Sequence, residues 1–208
     1  MKFALFLSTY NVDARKPMYQ DVIRWWMQNS KFDIYIVDSS NNAFDDDIEQ
    51  ACKIHHFDQT QCFDNFEKVK LLARKISSTT LETISLTKMI EVYGKEWADN
   101  YHYVIKLTGK YTLPDLEKLL KESVKDDSND FICQSKFRYN VQHSELMLCK
   151  ANIMKQLITE ISEISDTPFC MFEKKLYIVS RTKKFMNLKK IINTSKYKRG
   201  AGDLMLSL

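Results

Sequence analysis

The sequence predicts an α/β domain with a mostly parallel central sheet that helices cover on both faces. Short apolar runs of strand length alternate along the chain with amphipathic stretches of helix length. The runs are apolar on consecutive residues, which is typical of strands that are buried on both faces. Each run ends in a polar loop, so the pattern favours βαβ units with right-handed crossovers.

The first βαβ unit is expected at the start of the chain. Residues 3–7 and 32–37 predict two buried strands, and polar loops follow at 8–11 and 38–42. A helix is expected over 17–29, because its proline suits a first helical turn and its apolar residues recur at helical spacing.

The next stretch predicts a short helix, a strand and a long helix. The acidic residues 45–47 favour a helix start, and a third strand is expected over 53–58. Residues 77–80 are expected to lead into a long helix, and Gly94 offers its C-terminal stop. Its Ser/Thr-rich entry, with Glu82 a few residues on, resembles a capping box.

The second half is expected to complete the sheet and cover it. Its predicted elements are a strand over 101–107, a helix from Pro114, strands over 130–134 and 145–149, a helix over 151–162 and a helix from Pro168. Without a repeat or a composition break, the sequence predicts one domain over 1–208. We expect 1–114 to bind the ligand and 115–208 to form an acceptor half with a basic C-terminal tail.

Composition narrows the functional classes. A hydrophobic content of 44% is ample for a sizeable core in 208 residues. The net charge of +4 is mild, so a dedicated nucleic-acid binder is not favoured. The excess is local, because 174–199 contains ten lysines and arginines and no acidic residue. Such a segment suits phosphate groups.

Cysteine usage and hydropathy indicate the compartment. The five cysteines are odd in number and show no C-x-x-C spacing, which argues against a disulfide framework and a zinc site. The start lacks a signal-peptide pattern, and no run approaches the ~20 apolar residues of a membrane span. We therefore expect a cytoplasmic protein.

Polar loops at one sheet edge predict the ligand site. In an open parallel sheet, ligands bind beyond the carboxyl ends of the strands, where the loops 8–16, 38–42 and 108–111 are expected. Their threonine and asparagine side chains can pair with a base edge, and an arginine can fork onto phosphate. The glycine fingerprints of dinucleotide and P-loop folds are absent.

The order of these motifs is similar to that of a known family. The sequence resembles the nucleotide-sugar-binding half of GT-A-fold glycosyltransferases over roughly residues 1–150. The resemblance is carried by 8–11 after the first strand, 37–40 after the second, the Ser/Thr-rich entry to Glu82, and the strand 103–107 followed by 111–114.

The resemblance implies a donor such as a UDP- or GDP-sugar and a glycan or other hydroxyl acceptor. It implies that Thr9, Asn11 and Asp38 hold the nucleoside, with Arg15 nearby. The full set of expected donor-binding residues is Thr9, Asn11, Arg15, Asp38, Ser40, Lys106, Thr108, Lys198 and Arg199.

One landmark of that family is replaced. An Asp-x-Asp pair that binds a divalent cation normally follows the central strand, but 106–111 reads Lys-Leu-Thr-Gly-Lys-Tyr. Either Lys110, together with Lys106, replaces the metal as a fixed cation on the leaving diphosphate, or the chain only binds its ligand. Similar stretches in some capsule and lipopolysaccharide transferase-like proteins favour the first reading. No cofactor is required by the sequence; Mn²⁺ or Mg²⁺ stays open, with Asp45 and Asp47 as fallback ligands.

Direct displacement also needs a general base near the acceptor hydroxyl. Glu173 is the first candidate, followed by Glu145 and Asp166, and Tyr139 is a candidate acceptor contact. The segment containing Lys198 and Arg199 is expected to fold over the diphosphate.

Two other readings stay open at this point. The basic C-terminal region could contact nucleic acid, although few aromatic residues interleave there for base stacking. A nucleotidyltransferase would need metal-holding carboxylates that the expected loop lacks.

Overall fold

The computed structural model describes residues 1–62, 74–125, 128–133, 145–164, 172–181, 185–187 and 198–199. In chain order, the strands are β1 Phe3–Thr9, β2 Asp33–Asp38, β3 Lys53–His56, β4 Tyr103–Thr108, β5 Tyr111–Thr112, β6 Phe131–Cys133, β7 Leu146–Lys150, β8 Phe185–Asn187 and β9 Lys198–Arg199. The helices are α1 Lys16–Asn29, α2 Asp46–Ala51, α3 Arg74–Asn100, α4 Leu116–Ser123, α5 Ala151–Glu163 and α6 Phe172–Ser180.

Seven of the described strands form one sheet in the order β3-β2-β1-β4-β7-β6-β8. β1 is parallel to both β2 and β4, and β2 is parallel to β3. β7 runs antiparallel to β4 and β6, and β8 is parallel to β6. β7 is thus the one reversed strand of this sheet as described, which confirms the predicted mostly parallel sheet.

Helices cover both faces of the sheet, as the consecutive apolar residues of the strands predict. On one face, Leu5 and Leu7 of β1 share a core with α1, α2 and α4, in which Trp26 is fully buried. On the other face, Ala4 and Phe6 pack with α3, α5 and α6, in which Trp97 is fully buried. Truncating either tryptophan to alanine is expected to cost ~3–5 kcal/mol, as for other core aromatics.

Helix α3 corrects two sequence-based predictions. It runs through Gly94 to Asn100, because Tyr93 and Trp97 continue the apolar stripe into the core and this packing outweighs the low helix propensity of glycine. It also begins at Arg74, so the Ser/Thr-rich entry lies inside the helix. The predicted capping box is therefore wrong, and Glu82 has another partner, described below.

In the described part of the chain, no helix is both long enough and apolar enough to cross a bilayer.

Candidate functional site

The carboxyl ends of β1, β2 and β4 open into a cleft of about 400 Å³, with α3 as its far wall. All lining residues except Leu81 have polar side chains, and they come from the loops after these strands and after β3, from α1 and from α3. The lining residues are Ser8, Thr9, Tyr10, Arg15, Tyr19, Ser39, Gln59, Leu81, Glu82, Ser85, Thr108 and Lys110. Of the residues that the sequence predicts for the site, Thr9, Arg15, Thr108 and Lys110 line this cleft.

Gly109 brings the loop after β4 against the end of β1. Its N–H donates to the Ser8 carbonyl at 3.0 Å. A Cβ at this position would lie 2.6 Å from Thr9 Cγ2 and 2.8 Å from the Ser8 carbonyl oxygen. Only glycine fits so close an approach, and the approach places Lys110 beside the β1 loop.

Asp38 ties the loops after β1 and β2 together. Its Oδ2 accepts from Thr9 Oγ1 at 2.9 Å and from the Asn11 N–H at 2.8 Å. Its Oδ1 accepts from the Ser40 N–H at 2.9 Å and from the Ser40 hydroxyl. The side chain is fully buried. The sequence predicts a nucleoside contact for Asp38, but in this structure both oxygens are committed to the loops.

Asn11 and Ser40 extend this network rather than lining the cleft. Asn11 Nδ2 donates to the carbonyls of Asn42 and Ala43 at 3.0 and 3.1 Å. The Ser40 hydroxyl lies 3.1 Å from the Asn11 carbonyl. The loop continues from Ser40 through Asn41 at φ 58°, a left-handed conformation that asparagine tolerates better than most residues. These two predicted site residues therefore shape the loops that form the cleft.

Arg15 is a cation on the nearer wall. It is exposed at the start of α1, and its Cζ lies 5.8 Å from the centre of the Tyr10 ring. Arg15 also hydrogen-bonds to the side chain of buried Tyr19; burial raises the pKa of that tyrosine, and the arginine opposes the rise. An arginine held against aromatic rings at a cleft mouth is suited to binding an anion.

Lys110 is a second cation that lines the cleft. It lies in the loop after β4, whereas Ser39 follows β2 on the other side of β1. Lys110 is half-buried, and its Nζ lies 5.3 Å from the centre of the Tyr111 ring. The neighbouring pair Tyr111–Thr112 forms β5, which pairs antiparallel with β9, so the backbones of Lys198 and Arg199 lie beside it. The backbone of these two basic residues therefore lies next to the loop that carries Lys110.

Lys106 lies beneath the cleft and not on its surface. Its side chain is 1% exposed, and its Nζ lies 2.6 Å from Glu82 Oε1. It also lies 3.4 Å from Thr108 Oγ1. The sequence predicts that Lys106 binds the donor; here its charge is matched by Glu82.

The fallback metal ligands are engaged elsewhere. Arg24 donates to Asp47 at 2.7 and 2.8 Å and to Asp45 at 2.7 Å. Because of this guanidinium, the pKa values of both carboxyls lie below their usual range. Across the described ranges, no group of three or more His, Cys, Asp and Glu residues is placed to hold a metal ion.

Glu173 lies in the first turn of α6, outside the lining of the cleft. The ring of its neighbour Phe172 is 5.9 Å from Lys106 Nζ, so this turn is near the cleft floor. Glu145 immediately precedes β7, and its carbonyl accepts from the Thr108 N–H at 3.0 Å. Tyr139 and Asp166 lie outside the described residues.

Five lining residues were not expected from the sequence: Tyr19, Gln59, Leu81, Glu82 and Ser85. Gln59 follows β3 in a short 3₁₀ turn, and no sequence signal marks it. Glu82 could have been found from Lys106. A lysine inside an apolar strand needs a buried partner, so it signals an acidic residue elsewhere in the chain.

No family model matches the sequence, and no curated protein is similar to it. Solved structures are similar. One is the glycosyltransferase GlyE of Streptococcus pneumoniae TIGR4, with 12% identity and a TM-score of 0.51. The match covers 90% of this chain and 45% of GlyE. The galactosyltransferase LgtC, solved with donor and acceptor sugar analogues, is 8% identical with a TM-score of 0.51. The match covers 90% of this chain and 73% of LgtC.

A third similar structure is a protein from Desulfovibrio desulfuricans G20 assigned as a nucleotide-diphospho-sugar transferase, with 13% identity and a TM-score of 0.52 over 90% of this chain and 80% of its own. The chain thus spans less than half of GlyE and roughly three quarters of the other two. At these identities the likeness shows the fold: a GT-A-type α/β fold, as the sequence predicts.

Proposed function

We propose that this chain is a glycosyltransferase that moves a sugar from a nucleoside-diphosphate donor to a hydroxyl acceptor, such as a glycan. The observation that carries the proposal is the polar cleft at the ends of β1, β2 and β4, with Arg15 and Lys110 on its walls. Such a switch-point cleft is where open α/β sheets bind ligands.

The two cations suit a diphosphate leaving group. When the bond to the anomeric carbon breaks, negative charge builds up on the diphosphate, and fixed cations lower the energy of that state. Lys110 is held close to the β1 loop by the Gly109 contact, and the backbones of Lys198 and Arg199 pair with the neighbouring Tyr111–Thr112. We assign Lys110 to the diphosphate, with Lys198 and Arg199 as additional phosphate contacts.

The acceptor side of the proposal concerns the general base. Glu173 stays our candidate for the general base, since its helix turn lies near the cleft floor. The proposed compartment is the cytoplasm, because Cys52, Cys62, Cys133 and Cys149 are free thiols, which suits a reducing environment.

A second candidate is a module that binds a nucleotide-sugar without turnover. It is favoured by one observation: the loop after β4 offers Thr108 and Lys110 where the related fold carries metal-binding carboxylates. Binding would then survive while transfer and hydrolysis are absent.

The test is a panel of UDP-, GDP-, CMP- and dTDP-sugars, measured by thermal shift and by donor hydrolysis, each with Mn²⁺, Mg²⁺ or EDTA. We expect one nucleotide class to raise the melting temperature and to be hydrolysed in EDTA. Binding without hydrolysis under every condition would select the binding module. No shift with any donor would end both proposals.

Lys110→Ala should then lower turnover more than nucleoside binding. Lys118→Ala is the matched control, because Lys118 is an exposed lysine of α4 outside the cleft lining. Equal losses of turnover and nucleoside binding in Lys110→Ala would contradict the role assigned to it.

A further inference from the structure

Lys106 is a charged residue in the middle of the sheet. In the register of β1, β4 and β7 it stands between Phe6 and Met147, and its side chain is 1% exposed. A buried ammonium without a partner would be costly, and Glu82 supplies the partner at 2.6 Å. The pair joins the floor of the sheet to helix α3.

Glu82 has one side toward Lys106 and another toward the cleft. Its Oε1, which faces Lys106, is buried, while its side chain as a whole is 26% exposed and lines the cleft. Ser85, about one helical turn further on, lines the same wall. One oxygen of the carboxylate is therefore held by Lys106, while the side chain stays accessible from the cleft.

The charge of Glu82 is opposite to that of the two cations that line the same cleft. Arg15 and Lys110 are positive and suit phosphate, whereas a carboxylate repels phosphate and accepts hydrogen bonds from hydroxyl groups. A nucleotide-sugar carries both kinds of group, because its diphosphate links the nucleoside to a sugar that has free hydroxyl groups. The cleft offers complementary groups for each.

We infer that Glu82 binds hydroxyl groups of the donor's sugar and so determines which sugar is accepted, with Lys106 as the positioning residue that fixes its carboxylate. This inference rests on the proposed function. It replaces a direct contact between Lys106 and the donor with an indirect one. The buried ion pair then has a use, because the cleft gains a carboxylate with a fixed orientation.

The experiment is calorimetric titration with the free nucleoside diphosphate and with the corresponding nucleotide-sugar, using the nucleotide class found in the panel. In the wild type the sugar should add affinity. A hydroxyl bonded to a carboxylate is worth enough for about a tenfold change in Kd. Glu82→Ala combined with Lys106→Met removes both charges together, and it should lower affinity for the nucleotide-sugar about tenfold while affinity for the diphosphate is kept.

Glu82→Gln is the second variant, since it is nearly isosteric and keeps an amide oxygen toward Lys106. It should show the same selective loss to a smaller degree. Glu91→Gln is the control, because Glu91 is exposed on the same helix and lies outside the cleft lining.

The outcomes separate the two claims. If the wild type binds neither ligand, the proposed function fails. If the wild type binds both and the Glu82 variants lose the two equally, or lose neither, the inference on Glu82 is overturned while the proposed function stands.

Discussion

The two ends of the cleft are built from similar polar loops but use their side chains differently. At the β2 end, 38–42, the carboxylate of Asp38 is fully buried and accepts hydrogen bonds only from the protein. At the β4 end, 108–110, Lys110 lies on the cleft wall, facing a chamber that Glu82 also lines. One end therefore holds the loops together, and the other presents a charged side chain to the cleft.

The difference shows that a polar residue after a strand has two possible uses, which burial separates. Asp38 and Lys110 both lie at the carboxyl ends of parallel strands, and both were expected to contact the donor. The carboxylate has four donors within the protein. Substitutions at the two ends should accordingly affect different quantities.

The largest expected effect is on stability, from Asp38→Ala. The change leaves the buried donors of Thr9, Asn11 and Ser40 without their acceptor, and each unpaired buried group costs ~1–3 kcal/mol. We expect the free energy of unfolding in urea to fall by about 3 kcal/mol or more. Asp58→Ala is the control: its carboxylate accepts from Thr60 at the surface, so its loss should be much smaller. Similar losses in both variants would show that the Asp38 network is not a stabilising feature.

The next effect is expected from Gly109→Ala, which tests how the β4 end is placed. The added Cβ would clash with Thr9 Cγ2 and the Ser8 carbonyl, so the loop must move and Lys110 with it. We expect a stability loss of ~1–3 kcal/mol, typical of overpacking, and weaker donor binding. Gly94→Ala in α3 is the matched control: its Cβ would lie 3.3 Å from the Ile90 side chain rather than against backbone, and alanine favours a helix, so any stability loss should be smaller than in Gly109→Ala. Unchanged donor affinity in Gly109→Ala would argue against the placement of Lys110.

The smallest effect is expected at the acidic pair outside the cleft. Arg24 lowers the pKa values of Asp45 and Asp47, so their contribution is complete above the pKa of an unfolded aspartate and is lost as pH falls below about 4. Arg24→Met should flatten the decline of melting temperature with pH in this window. The comparison is a set of thermal scans from pH 6 to roughly pH 3. An equally steep decline in the variant would mean that this ion pair does not contribute.

The sequence predicts the strands and the cleft position better than the partners of individual side chains. Residues 3–7 and 32–37 read as strands because their apolar runs are local signals, and β1 and β2 lie there. Glu82 read as part of a capping box because a Ser/Thr-rich neighbour is close in sequence. Its actual partner, Lys106, lies on another element, and such a pairing is set by the packing of α3 on the sheet.

Gly94 and Gln59 show the same limit. A glycine near the end of an apolar stripe resembles a helix stop. The helix nevertheless continues past Gly94, because Trp97 packs into the core. Gln59 reaches the cleft only because its backbone N–H donates to the Ser39 carbonyl, a contact between two loops. Tertiary contacts of this kind leave no periodic trace in the sequence.

The most direct test of the central comparison measures two quantities on two variants, Lys110→Ala and Asp38→Asn. For each, urea unfolding gives the stability, and titration with the nucleoside diphosphate gives the Kd of the folded protein. We predict that Lys110→Ala raises the Kd about tenfold while the free energy of unfolding stays within ~0.5 kcal/mol of the wild-type value. Asp38→Asn should lower the free energy of unfolding by more than it lowers the free energy of binding. The reverse pattern, with Lys110→Ala unstable and Asp38→Asn impaired only in binding, would contradict the account.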